Sequence, residues 1–239
     1  VSGTTEGTLL GGRVRYRQFA AGHRSGFEPV LLAAAVPAKA GDRVLELGTG
    51  AGASLLCLAA RVPGVAAAGV EIDPALAALA NENFQINGLT GVSAVIGDAG
   101  EEKFEPAFDY VLANPPWHDA AGTASPDPKR ALAHQAAPGL LAAWIAAMAS
   151  AVAPRGTLTL IIPASSFAAA AAALTERKLS GITLFPLWPR AGQAAKQLIV
   201  QARRNGPSRV LPGLVLHDEA GITPAANAVL RDGAGLDLR

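Results

Sequence analysis

The tetrapeptide Asn114-Pro115-Pro116-Trp117 closes an apolar run, FDYVLA, and closes it abruptly. Neither proline has a backbone N–H to give a ladder, and each ring holds φ near about −65°, so strand pairing must stop there. What is left is a stiff corner carrying one amide side chain and one large aromatic ring. A second group is Glu46-Leu47-Gly48-Thr49-Gly50-Ala51-Gly52, where three glycines let the chain turn sharply and let a ligand approach main-chain N–H groups with no Cβ in the way. Glu71 ends another apolar run, where a carboxylate can accept from two ribose hydroxyls. Asp98, with the N–H of Ala99 beside it, can accept from an exocyclic adenine amine and donate to the same ring. Each group alone has a plainer reading: a tight turn, an Asp turn, a salt-bridged strand end, a proline corner with Trp117 in the core. Taken together, they are the residue types that hold a nucleoside.

These groups need elements to carry them, and the periodicity alternates strand with helix. Strands are expected at Arg43 to Leu47, Val65 to Ile72, Val92 to Gly97, Phe108 to Ala113, Gly156 to Ile162, Ile182 to Phe185 and, last, Gln197 to Ala202. Between them the spacing predicts helices from Ala53 to Arg61, from the Asp73-Pro74 cap to Asn87-Gly88, from Leu140 to Ala153 and from Phe167 to Lys178. Strands joined through helices of this length require crossover connections, hence a mostly parallel sheet covered on both faces. In such sheets ligands bind at the carboxyl ends of the strands. The glycine loop, Glu71, Asp98 and the Asn-Pro-Pro corner each follow one of the first four strands, so all four project to one edge.

Composition bounds the reading. The 239 residues fit one large domain, and although half are apolar, no run reaches the roughly 18 residues that a membrane helix needs. The opening VSGTTEGTLLGGRVRYR lacks a basic-then-apolar leader design, so the expectation is a cytoplasmic protein. Cys57 is the only cysteine, which excludes an internal disulfide and a multi-cysteine zinc site; no metal is expected. The net charge of +1 hides two basic segments, Arg13 to Arg24 and Arg190 to Arg209, which form either one positive face or an ordinary solvated surface.

The strand–glycine-loop–helix unit with Glu71 fits either a nicotinamide dinucleotide or S-adenosylmethionine. Glu46 favours the second, because an acid two residues before the first glycine neutralises an α-amino group but repels a pyrophosphate. At this point the chain resembles the Rossmann-like class I S-adenosylmethionine-dependent methyltransferases, whose sheet is seven-stranded and mostly parallel. Asn114-Pro115-Pro116-Trp117 is similar to the Asn/Asp-Pro-Pro-aromatic motif of enzymes that methylate planar nitrogen. The resemblance implies Asn114, Pro115, Pro116 and Trp117 as catalytic, and Glu46, Gly48, Thr49, Gly50, Gly52, Glu71, Asp98, Ala99 and Asn114 as cofactor-binding. The chemistry follows from the residues. An exocyclic amine shares its lone pair with the ring and is a poor nucleophile. Its two N–H groups can be taken by the Asn114 side-chain oxygen and the Pro115 carbonyl, which draws the nitrogen toward a tetrahedral shape. Trp117 would stack on the base.

Gln18, Gly22, Arg24, Gly26, Glu28, the run Leu31-Leu32-Ala33-Ala34, the later LWPR and the ending LHDEAGITPAANAVLRDGAGL resemble the bacterial tRNA-Val (adenine-N6)-methyltransferases. That resemblance implies a tRNA adenine beside the anticodon as substrate, with Arg24 on the cofactor carboxylate or the RNA. Glu28 and Trp117 depart from it, since relatives usually carry Asp and Tyr there. The Pro- and Ala-rich stretch from Trp117 to Ala137 is long for a connection and is expected to order the substrate, with Lys129 and Arg130 on phosphates. Expected boundaries are a basic segment and lead-in helix over 1–40, a methyltransferase core over 41–206 and a tail packed on it over 207–239. The alternatives are a ribosomal-RNA base amine, a protein glutamine amide, an NAD-binding oxidoreductase and a noncatalytic RNA-binding module.

Overall fold

The computed structural model describes residues 3–21, 26–100, 104, 107–116 and 139–238. A hairpin comes first: β1 (Thr4–Leu9) and β2 (Val14–Phe19) pair antiparallel, with Glu6 opposite Arg17. Helix α1 (Glu28–Ala35) leads into β3 (Arg43–Leu47), α2 (Ala53–Arg61), β4 (Ala66–Glu71), α3 (Pro74–Ile86), β5 (Val92–Ile96) and β6 (Phe108–Ala113). After the connection come α4 (Leu140–Ala151), β7 (Val152–Pro163), α5 (Phe167–Glu176), β8 (Gly181–Arg190) and β9 (Gln197–Arg203). The chain ends with three short strands, β10 (Arg209–Val210), β11 (Leu214–Asp218) and β12 (Gly221–Ile222), and helix α6 (Pro224–Leu230).

The main sheet runs β12-β11-β8-β9-β7-β6-β3-β4-β5, with β10 also on β8. From β7 to β5 every pairing is parallel, while β9 lies antiparallel to both neighbours. Apolar side chains alternate across it. Val44, Leu112, Ile161 and Ile199 face the core shared with Leu32, Leu56 and Phe84 of α1, α2 and α3. Leu45, Val111, Leu158 and Val200 face Ile145, Met148 and Leu174 of α4 and α5. Helices therefore cover both faces, as the alternating pattern requires. No helix among the described residues is long and apolar enough to cross a membrane.

Where a seven-stranded sheet was expected, the main sheet has ten strands among the described residues, and two differences have physical causes. Residues 182–185 were expected to form a short strand stopping at Pro186, yet β8 continues through it to Arg190. A Cβ built on Gly213 would run into the Pro186 carbonyl, so that side of Pro186 faces the turn between β10 and β11, where no ladder bond is lost. Gln197–Arg203 is not the last strand, because the chain returns alongside β8 as β10 and β11. The basic N-terminal segment, expected as a lead-in to a helix, also contains the β1–β2 hairpin as a separate two-stranded sheet.

Side chains replace missing backbone partners at several seams. The Arg61 guanidinium, at the end of α2, donates through Nη2 to two carbonyls at the end of α1, those of Ala33 (2.8 Å), which also accepts from the Val36 N–H, and Val36 (2.5 Å). Hydrogen bonds from charged groups to such acceptors contribute about 1.5–3 kcal/mol each. Arg61 Nε is buried with no partner, which offsets part of that gain. Arg61→Met should therefore lower unfolding stability by about 2 kcal/mol, seen as a lower urea midpoint with unchanged slope. Wild-type stability would mean these carbonyls find other partners.

Candidate active site

Register brings the predicted residues together. Leu47, the last residue of β3, pairs with Val70 of β4 on one side and with Ala113 of β6 on the other. Gly48, Glu71 and Asn114 are thus the next residues out on three neighbouring strands. Strand order reverses between β3 and β6, because the chain moves outward through β4 and β5 and then returns to β6 on the far side of β3. Ligand crevices of open α/β sheets form at such a reversal.

The three loop glycines serve different purposes. All have positive φ, at 68°, 56° and 86° for Gly48, Gly50 and Gly52. A Cβ on Gly48 would lie 2.5 Å from the Trp144 ring, and one on Gly52 would lie 2.7 Å from the Phe84 ring. Those two allow close packing. Around Gly50 nothing lies within 4 Å of that position, so its Cα side is the one open to a ligand. The loop is held by the Val70 carbonyl, which accepts from the N–H groups of Gly48 (2.8 Å) and Thr49 (3.1 Å).

Two acids line the loop. Glu71 is 7% exposed and accepts from the Gly50 N–H at 2.8 Å through Oε2 and from the Asp73 N–H at 3.0 Å through Oε1. Each oxygen keeps a lone pair. Glu46 is 2% exposed and accepts from the Thr49 hydroxyl at 2.6 Å. Burial pushes its carboxyl up to about 7, against the pull of hydrogen bonds from Thr49 and Ser54, and the charge of Glu71 adds to the rise. Among the described residues no cation pairs with it.

Asp98 is half-buried and accepts from the Gly100 N–H at 2.8 Å through Oδ1, with Ala99 buried beside it. Pro115 is buried, while Asn114 and Pro116 are half-buried. Ile72, not singled out in the sequence, is 63% exposed immediately after Glu71. A large apolar residue placed just past a strand's last paired position, before the Asp73 cap, was the available signal. Trp117, Arg24, Gly22, Lys129 and Arg130 lie outside the described residues. Cys57 is buried, and desolvation pushes its thiol up to about 12, so it is inert.

The donor set fits one kind of cofactor. A buried carboxylate without a cation suits an ammonium, the spare Glu71 lone pairs suit a diol, and open Gly50 with exposed Ile72 suits a flat nucleoside. The model of the methyltransferase small domain matches residues 28–162, more than half of the chain. The chain belongs to that family.

Its methyl donor is S-adenosylmethionine, and its fold is the Rossmann-like class I methyltransferase fold. A relative from Shewanella baltica, named tRNA1(Val) (adenine(37)-N6)-methyltransferase, is 30% identical over 76% of this chain and 78% of its own length. A release factor glutamine methyltransferase from Rhodospirillum rubrum is 36% identical over a shorter span, 37% of this chain and 27% of its own. The crystal structure of a predicted O-methyltransferase from Agrobacterium tumefaciens superposes with a TM-score of 0.73 at 22% identity, covering 88% of this chain and 98% of that one.

The arginines of the two basic segments are largely engaged within this methyltransferase chain. Arg15 and Arg17 meet Glu6 at 2.8 and 3.4 Å. Arg13, Arg190, Arg204 and Arg209 donate to the carbonyls of Arg231, Asp218, Ala149 and Leu238. These six fasten segments together, and of them Arg15 and Arg17 have an acid as partner.

Glu46 makes stability depend on pH. Its folded value of about 7 stands above the ordinary 4.5, so its contribution is full below about 4.5 and is lost as pH rises through about 7. At about 1.4 kcal/mol per unit the loss is on the order of 3 kcal/mol. Ligand-free Glu46→Gln protein should lack this decline, unfold at a higher temperature than wild type at pH 8, and bind S-adenosylmethionine at least about tenfold more weakly. Thermal melts across pH 5–8 with calorimetric titration check both; parallel melting curves would sink the assignment.

Proposed function

We propose that this methyltransferase acts on the N6 amine of an adenine in structured RNA, with tRNA as the substrate class and the anticodon side as its site. The observation that carries the reading is the Asn114-Pro115-Pro116 corner one register step beyond Ala113, against the cofactor loop that follows Leu47. The name of the Shewanella relative supports the RNA and the base, and the similarity spans three quarters of the chain.

In this reading each residue has a stated task. Asn114 Oδ1 and the Pro115 carbonyl accept the two N–H groups of the target amine, and the prolines fix the directions of those acceptors. The amine lone pair is then withdrawn from the ring and directed toward the donor. Bound S-adenosylmethionine supplies an electrophilic methyl group on a sulfonium. The N–CH3 bond forms as the S–CH3 bond breaks, and the methylated nitrogen, now cationic and acidic, gives its proton to water. Glu46 neutralises the cofactor ammonium, Glu71 accepts from the ribose hydroxyls, Asp98 and Ala99 hold the adenine edge, and Gly48, Thr49, Gly50 and Gly52 supply the close backbone wall. Trp117 stacks on the target base. Arg24, Lys129 and Arg130 contact the RNA. A compartment containing tRNA, the cytoplasm, follows from the same reading.

A glutamine side-chain amide has the same flat nitrogen with two N–H groups, and the similarity to the release factor enzyme keeps that substrate as the rival. Incubation with labelled cofactor and either total bacterial tRNA or a release factor separates them. N6-methyladenosine in digested tRNA is the expected product; label in the protein alone, or in neither, overturns the proposal. Asn114→Ala should reduce transfer by about a hundredfold or more, as for loss of a preorganised transition-state partner, with cofactor affinity kept within about fivefold. Single-turnover rates and calorimetry check this.

A further inference from the structure

Helix α3 and its C-cap, Asn87, carry three asparagines that act as strand partners. Asn81 accepts from the Ala94 N–H and donates to the Ala94 carbonyl, both at 2.9 Å, on the outer side of the edge strand β5. Asn87 does the same for Arg15 of β2, at 3.0 and 2.7 Å. Asn83 does so for Arg17, at 2.9 and 2.8 Å. Each amide therefore completes a two-bond ring with one strand residue.

Asn83 differs from the other two. It is fully buried, and its Nδ2 also donates to the Ala51 carbonyl at 2.9 Å. Ala51 lies between Gly50, whose N–H is held by Glu71, and Gly52, whose α-carbon packs against Phe84. The loop is thus held at one end by a carboxylate from β4 and at the other by an amide that is itself held by the hairpin. A glycine-rich loop has more conformations to lose than other loops, so outside restraints decide how often it has the binding shape.

We infer that Asn83 is a positioning residue for cofactor binding, and that through it the β1–β2 hairpin forms part of the cofactor site. Losing its two donated bonds leaves the Ala51 carbonyl unpaired, and the loop then samples shapes in which the open Cα side of Gly50 no longer faces the ligand. Affinity for S-adenosylmethionine falls by the fraction of time the loop is misplaced. Once cofactor is bound at saturation, the reaction proceeds as before.

The test compares Asn83→Ala with Asn87→Ala, which loosens the same hairpin and removes a bond to the Asn83 main-chain carbonyl but leaves the Asn83 side chain on the Ala51 carbonyl. Calorimetric titration with S-adenosylmethionine needs no RNA, so its outcome is independent of the substrate assigned above. Asn83→Ala should weaken binding about tenfold or more and raise the cofactor KM to match, with kcat at saturation within about threefold. Asn87→Ala should stay within about twofold in both. If Asn83→Ala does not fold by circular dichroism, Asn83→Asp replaces it, because it keeps the acceptor for the Arg17 N–H but removes both donors. Wild-type affinity in a folded Asn83 variant overturns the inference, and so does an equal loss in Asn87→Ala, which would trace the effect to the hairpin's general loosening.

Discussion

The cofactor edge depends on a single carboxylate that serves two backbone donors. Glu71 holds the Gly50 N–H in the loop after β3 and the Asp73 N–H at the start of α3. The first segment follows the neighbouring strand β3 and the second leaves β4 itself, and both would otherwise present unpaired donors in a half-buried crevice, each costing about 1–3 kcal/mol. Because Glu71 spends only part of its acceptor capacity on them, the same side chain that builds the crevice can also receive a ligand. Structure and recognition are therefore not separable at this position, and the glycine loop has no fixed shape of its own to fall back on.

The same economy recurs across the molecule. Charged and amide side chains are used mainly to complete the backbone's hydrogen bonding where strands and helices end. Arg61 closes α1, Arg209 holds the Leu238 carbonyl, Arg13 fastens the connection between β1 and β2 to the end of α6, and the α3 asparagines complete the exposed sides of β2 and β5. Among the described residues the only ion pairs are those of Glu6 with Arg15 and Arg17, and they are largely solvent-exposed, where such pairs contribute little. Asn81 has a further consequence, since an edge strand with free N–H and C=O groups invites pairing with another chain. With Ala94 occupied on both groups, β5 is a poorer template for that.

How much was legible in the sequence varied with the kind of signal. The boundaries of β3, β6 and α2, and the Asp73 cap, were readable because short apolar runs met glycines, prolines or a capping side chain whose local effect is strong. The convergence of the four site segments on one edge followed from crossover topology alone. The hairpin was less legible, because VRYRQF alternates but its partner TTEGTL is mostly exposed and carries little apolar period of its own. Strands β10 to β12 were missed for a better reason: two of them are only two residues long and exist through pairing with a neighbour, which no local pattern reports. Nor could the sequence assign the arginines, because the carbonyls of Ala33, Ala149, Arg231 and Leu238 become their partners only after the helices and tail have packed.

The identity of residue 114 follows from the electrostatics of its neighbours. Glu46 pairs in register with Leu112, and strand alternation puts Asn114, two residues on, toward the same face of the sheet. Glu46 already titrates near 7 because it is buried and because Glu71 is close. A carboxylate at position 114 would add a further acid to an edge that already carries Glu46, Glu71 and Asp98, and would push Glu46 further toward its neutral form, weakening the group suited to hold an ammonium. An amide supplies an acceptor oxygen of similar reach with no net charge. In this setting asparagine satisfies two demands at once: it can accept from a flat amine, and it leaves Glu46 able to ionise when a cation arrives.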